Sequence, residues 1–177
     1  MSKTPFKFDD PFYDRLNAYL DISNGESDRG RVLVASALLD EMLAEILQSY
    51  LLESAPISRL FDDAYAPLSS LSAKAAMARS LSLITALEFR DIDLARKIRN
   101  EFAHTFVCSF EDAKIASRCR QLKTGIQYLD DQPEGHKSRV GDAKARFSMV
   151  MISLISALYN RAHYAKKARL HEKNWPN

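Results

Sequence analysis

An all-α fold, a single-domain bundle of about six helices, is what this sequence predicts, on three observations. Apolar residues make up 46% of the 177 residues, an ordinary globular share for a chain long enough to bury one core. Only 5 glycines and 6 prolines punctuate it, so its elements are few and long, unlike those of a many-stranded sheet. Apolar positions also recur at helical rather than alternating spacing through most of the chain.

Each helix follows from local signals. Pro11 in a first turn, with Phe12, Leu16, Tyr19 and Leu20 on one side, predicts an opening helix from about Asp9 to Ile22. The polar run Ser23-Asn24-Gly25-Glu26 ends it, and Ser27 or Asp28 caps a second helix reaching about Glu53. Along that helix Val32, Ala35, Leu38, Leu39, Met42, Leu43, Ile46, Leu47 and Tyr50 spread over a wide arc, so it is expected to lie centrally with neighbours on several sides.

Residues 54–71, with Pro56, Pro67 and several serines, form a linker pinned by a short helical turn at Leu60 and Phe61. A third, alanine-rich helix is predicted from Ser72 to about Leu87, and a fourth, capped by Asp91, to His104 or Phe106. Ser109 with Asp112 three residues on has the pattern of a capping box and opens a fifth helix to about Leu129. The polar segment 130–137 is the clearest loop. A long last helix runs from about Ser138 to Leu170, with Phe147, Val150, Met151, Leu154, Ile155, Leu158 and Tyr159 in helical register. One domain, 1–177, is therefore expected: an N-terminal helix (1–26), a core (27–129), a loop (130–137) and a C-terminal helix with a basic tail (138–177).

Several function classes are not indicated. The formal net charge of +2 is too small to imply nucleic acid by itself. The stretch from Val32 to Leu52 is interrupted by Ser36, Asp40, Glu41, Glu45 and Gln48, so no membrane span is expected. The beginning MSKTPFKFDD lacks an apolar segment followed by small residues, so the expected location is cytoplasmic. Cys108 and Cys119 fit neither a disulfide framework nor zinc spacing and read as small core residues or inert thiols. No metal and no cofactor is expected, and no helix-turn-helix with a basic recognition helix is found, so direct sequence-specific reading of DNA is not expected either.

The segment Arg99-Asn100-Glu101-Phe102-Ala103-His104 carries the most chemical information. On a helical wheel Leu94, Ala95, Ile98, Phe102 and Phe106 share an apolar arc, while Asn100 and His104 stack on the opposite, polar face. Arg99 sits at the border of the apolar arc, about 140° from His104 on an ideal helix. A guanidinium placed there must snorkel or find a buried acceptor, and Asp40, Glu41 and Glu45 of the second helix are the acceptors expected. Two readings stay open: a helix end tied into a core, or a site using an arginine, an amide and an imidazole. The C-terminal cations Lys166, Lys167 and Arg169 form a weak basic patch, either a grip on phosphates or a solvated helix end. Arg118, Arg120 and Lys123 form a second one on the fifth helix.

Ser27-Asp28-Arg29-Gly30 leading into Val34 to Glu41, Leu60-Phe61 before Ala66 to Lys74, and Ile98 to His104 before Ser109 to Asp112 together resemble the mannitol operon repressor (MtlR/MltR-like) family. The likeness spans about residues 27–125; Ser69 stands where that pattern has glycine. It implies an all-helical transcriptional regulator or co-repressor that acts mainly through a protein partner, as a homodimer. Separately, Arg99, Asn100 and His104 resemble the HEPN superfamily motif, whose nuclease members are dimers that cleave RNA without metal. That likeness implies Arg99 as the phosphate and transition-state anchor, His104 as acid and base, Asn100 as a positioning group, and the RNA's own 2′-hydroxyl as the attacking group. The expected function is thus the regulator, with the metal-independent endoribonuclease, a toxin or defence component, as the alternative.

Overall fold

The computed structural model describes residues 11–62, 65–126 and 141–176. Among these the chain forms six α-helices and no strand: α1 (Pro11–Gly25), α2 (Asp28–Tyr50), α3 (Leu71–Ser80), α4 (Ala86–His104), α5 (Ala113–Gln121) and α6 (Ala143–Lys167), with a 3₁₀ helix at Ala55–Leu60 between α2 and α3. It is an all-α helical bundle. The expected loop 130–137 and the first residues assigned to the last helix lie outside the described residues.

The wide apolar arc of α2 makes it the centre. Val32, Ala35, Leu39, Leu43, Ile46 and Leu47 are fully buried, and α2 packs against α1, α3, α4 and, most extensively, α6. From α6, Phe147, Val150, Met151, Leu154 and Leu158 complete the same core, as their spacing predicts. Ser27 caps α2, accepting a hydrogen bond from the Gly30 amide at 3.1 Å. Asp142 caps α6 by accepting from the amides of Lys144 and Ala145.

The larger differences from the sequence expectation, at the end of α3, the start of α4 and the end of α5, have local reasons. Helix α3 stops at Ser80, short of Leu87, because Ser82 adopts a left-handed conformation (φ 59°). Around it the Leu83 amide donates to the Ala78 carbonyl (2.8 Å) and the Ser82 amide to that of Arg79 (3.1 Å), the Schellman pattern. That stop is normally marked by glycine, and serine hides it. Helix α4 then starts at Ala86, not Asp91, through a capping box in which the Glu88 amide donates to Thr85 and the Thr85 amide to Glu88.

Asp91 is therefore no cap. It is fully buried, and its carboxylate accepts from the amides of Lys123 (2.8 Å) and Thr124 (2.6 Å) and from the Thr124 hydroxyl (2.8 Å). Helix α5 is also shorter than expected, ending at Gln121 ahead of the turn that holds Gly125, where φ is +74°. A Cβ at Gly125 would lie 2.5 Å from that of Ser153 on α6, so the turn needs glycine for conformation and for space. At its start, Asp112 accepts from the Ser109 amide at 2.9 Å, and the helix proper begins at Ala113.

Candidate functional site

Helix α4 positions the candidate residues. Ile98 and Phe102 are fully buried, which fixes the rotation of the helix and turns the intervening residues outward. Phe102 is the first ring of a tilted series through Phe110 to Phe147, with centroids 5.2 and 5.4 Å apart, so the last turns of α4 are anchored to α6. With that rotation Arg99 and His104 are exposed and Asn100 is half-buried.

The expected acceptors of Arg99 are engaged elsewhere. Asp40 forms an ion pair with Lys74 at 2.7 Å, while Glu41 and Glu45 both hold Arg15 of α1 at 2.8 Å. Burial works against the charge on Arg15, yet Glu45 and Glu41 raise its pKa above the ordinary value. Arg99 instead donates to the side-chain oxygen of its neighbour Asn100 at 3.2 Å. Of the two outcomes expected for a guanidinium on that border, snorkelling or a buried acceptor, Arg99 takes the first and reaches water.

Arg99 and Asn100 line a cleft of about 580 Å³ between α2, the start of α3 and α4, which also takes in Asp40, Ser70, Ser72 and Arg96. Arg96, Arg99 and Asn100 stand at i, i+3 and i+4, the spacing that puts side chains on one face of a helix. His104 is not among the residues that line the cleft. The structure therefore brings two members of the triplet together and leaves the imidazole apart.

Around His104 the chain is held from an unexpected direction. Helix α4 ends there, and Arg29 of α2 donates to the carbonyls of Thr105 (2.6 Å) and Phe106 (2.8 Å), holding the connector just past the helix end. Phe106, expected on the apolar arc, lies beyond the helix and is 94% exposed, with Val107 81% exposed beside it. The block Ser27-Asp28-Arg29-Gly30 thus supplies both the cap of α2 and the brace of this connector. In the sequence the block reads as a helix start and as part of the family likeness; the signal for a further role is an arginine in a capping segment with no acid at i+3 or i+4 within the helix.

Each basic cluster has one arginine matched by a carboxylate. Arg118 of the α5 cluster and Lys114 of the same helix converge on Glu101 at 2.9 and 2.7 Å, so the cluster does lie beside the Arg99–His104 segment. Their hydrogen bonds hold the Glu101 carboxyl below the usual range. Arg169, grouped with Lys166 and Lys167, is a clamp: it donates to the carbonyls of Ser49 (3.0 Å) and Gln48 (3.3 Å) and pairs with Glu53, docking the segment after α6 on the end of α2. Lys166 and Lys167 remain exposed, Lys167 lying 5.9 Å from the Tyr164 ring centre. Cys119 is fully buried, and burial pushes its thiol up to about 12.

Among the described residues, no group of three His, Cys, Asp or Glu side chains is placed to hold a metal ion, and no helix is long and apolar enough to cross a membrane. No family model and no curated protein matches the chain. In fold it is similar to a chain in the X-ray structure of the MtlR–HPr complex from Escherichia coli, with a TM-score of 0.63 and 19% identity, over 84% of this chain and 99% of that one. The fold is MtlR-like.

Proposed function

We propose that this chain is an MtlR-like transcriptional regulator that acts by binding a protein partner, and that it does so as a homodimer. The observation that carries the reading is the exposed pair Phe106 and Val107 on a connector braced by Arg29. Two adjacent apolar side chains held in water gain nothing for the monomer, whereas covering them is worth roughly 1.5–3 kcal/mol for each side chain fully buried. Because the connector is already fixed, little ordering opposes that gain. The fold likeness to a chain of the MtlR–HPr complex supports a protein of the HPr kind as the partner. Lacking a recognisable DNA-reading helix, the chain would reach transcription through that partner.

Titration of the purified protein with a purified HPr-type protein tests the reading. Binding should be saturable, and Phe106→Asp with Val107→Asp should weaken it at least about tenfold while leaving the melting temperature unchanged, since neither side chain is buried in the fold. Equal binding by the double variant would remove the connector from the interface, and no binding by the wild type would remove the partner. Sedimentation of the free protein tests the homodimer.

One observation favours the ribonuclease alternative: Arg99 and His104 both reach solvent, with Arg99 at a cleft. Its difficulty is that His104 lies off that cleft, so a second chain would have to supply the imidazole. Cleavage of RNA in the presence of EDTA, lost in His104→Ala with the fold intact, is what that reading requires. RNA left whole at high protein concentration excludes it.

A further inference from the structure

We infer that the cleft between α2, α3 and α4 is a binding site for a small phosphomonoester, a ligand function beyond partner docking. At about 580 Å³ the cavity falls within the range of small-molecule sites. Its wall on α4 presents the Arg99 guanidinium and the Asn100 amide; Arg96 lines it too, with its guanidinium held by Asp93 at 2.7 and 3.1 Å, and Ser70 and Ser72 belong to the same lining. A planar guanidinium free of a carboxylate, beside an amide, suits the tetrahedral oxygens of a phosphoryl group.

The charge balance points the same way. Arg15, Arg90, Arg96, Arg118, Arg161 and Arg169 each meet a carboxylate; among the described residues Arg29, Arg31, Arg59, Arg79, Arg120 and Arg99 do not, and of these Arg99, which meets the neutral amide of Asn100, is the one that lines the cleft. Asp40, the acidic group in the lining, is matched by Lys74 at 2.7 Å, and Asp93 is matched by both Arg96 and Lys97. The cleft therefore keeps an uncompensated positive charge at Arg99. Packing does not account for that residue, because Ile98 and Phe102 carry the burial of this part of α4.

The remaining lining favours an ester over free phosphate. Leu33, Ala37 and Leu71 add an apolar wall that an organic substituent would cover. A polymeric nucleic acid fits less well. It needs a track of open cations, and the nearby Lys114 and Arg118 are already held by Glu101. The opening turn of α3 adds its positive end to the same cleft, a secondary contribution.

Calorimetric titration of the full chain at fixed ionic strength, with phenyl phosphate, inorganic phosphate and a short single-stranded RNA as probes, tests the site. Phenyl phosphate should bind saturably and more tightly than inorganic phosphate. Arg99→Gln should weaken it about tenfold or more, the loss expected for one charge-assisted pair of bonds. Ser72→Asp, which leaves every cation in place and adds a carboxylate at the mouth, should abolish binding. Arg59→Gln, on the exposed 3₁₀ helix outside the cleft, should change nothing, and melting curves should show all three variants folded. Absence of saturable binding, undiminished affinity in Arg99→Gln, or inorganic phosphate binding as tightly as the ester would overturn the assignment. Tighter binding of RNA than of the ester would overturn it too and return the cleft to the nuclease reading. None of these results depends on the HPr-type partner, because Phe106 and Val107 do not line the cleft.

Discussion

The two halves of helix α4 treat their charged residues in opposite ways. In the first half Asp91 is fully buried and holds the turn after α5 through three hydrogen bonds from Lys123 and Thr124. Two turns on, Arg99 stands in water at the edge of a cleft with only an amide for company. The first charge is woven into the fold and the second is left over by it. A charge the fold does not use is the better candidate for function, and this is the lesson of the contrast.

The largest test of that contrast is Asp91→Ala. Removing the carboxylate strands the buried amide and hydroxyl of Thr124 and the part-buried amide of Lys123, which should cost roughly 3 kcal/mol or more. For a chain of this size that lowers the melting temperature by roughly 6–12 °C. A shift under about 2 °C would show that the junction does not depend on Asp91 and would erase the contrast.

Acid should produce the next effect. Burial acts to raise the Asp93 carboxyl, but the hydrogen bonds from Lys97 and Arg96 overcome it and hold it below its ordinary value, and Glu101 is likewise lowered by Lys114 and Arg118. Groups lowered by folding contribute fully above the unfolded carboxylate value of about 4, and the contribution drains away as pH falls through their lower folded values. Thermal melts should therefore be flat in this respect from pH 7 to about pH 5 and decline below about pH 4. Asp93→Asn with Glu101→Gln should flatten that decline, and an unchanged profile would show that these pairs do not act on stability.

Arg99→Gln should alter stability by no more than about 0.5 kcal/mol in chemical denaturation, the range for exposed residues without structural partners. A loss of 2 kcal/mol or so would make Arg99 a structural residue after all. The smallest effect sharpens the Asp91 side. With its thiol pushed up to about 12 by burial, Cys119 should resist iodoacetamide at pH 8 in the wild type. If Asp91→Ala loosens the α4–α5 junction, Cys119 should become slowly labelled, as read by mass spectrometry.

Legibility in the sequence followed the strength of the local signals. The arc on α2, the Ser27 cap and the register of α6 were readable because periodicity and capping are local rules. Thr85 with Glu88 is legible too, as a Thr-x-x-Glu pattern before an apolar run, and competes with the Asp91 start expected above. The stop at Ser82 was not readable, since a left-handed serine leaves no glycine to announce it. Among the site residues, Arg99 and Asn100 stood out by type and spacing, but the cleft they line depends on Ser70, Ser72 and Asp40 from other helices. Likewise, nothing in residues 99–106 names Arg29 as the group that braces their end, 76 positions away.

By itself, then, the sequence determined that the chain is all-helical, that α2 is central, and that Arg99-Asn100 is an unusual polar pair on an otherwise committed helix. Those properties follow from periods of 3.6 residues and from the preferences of single side chains, which any short window displays. Which charges are matched follows from how the helices pack. Asp40 went to Lys74, Glu41 and Glu45 to Arg15, and Arg169 to Glu53, leaving Arg99 open. Ion pairing between helices depends on how each helix is rotated and where it crosses its neighbours, and the summed packing of the whole core sets both.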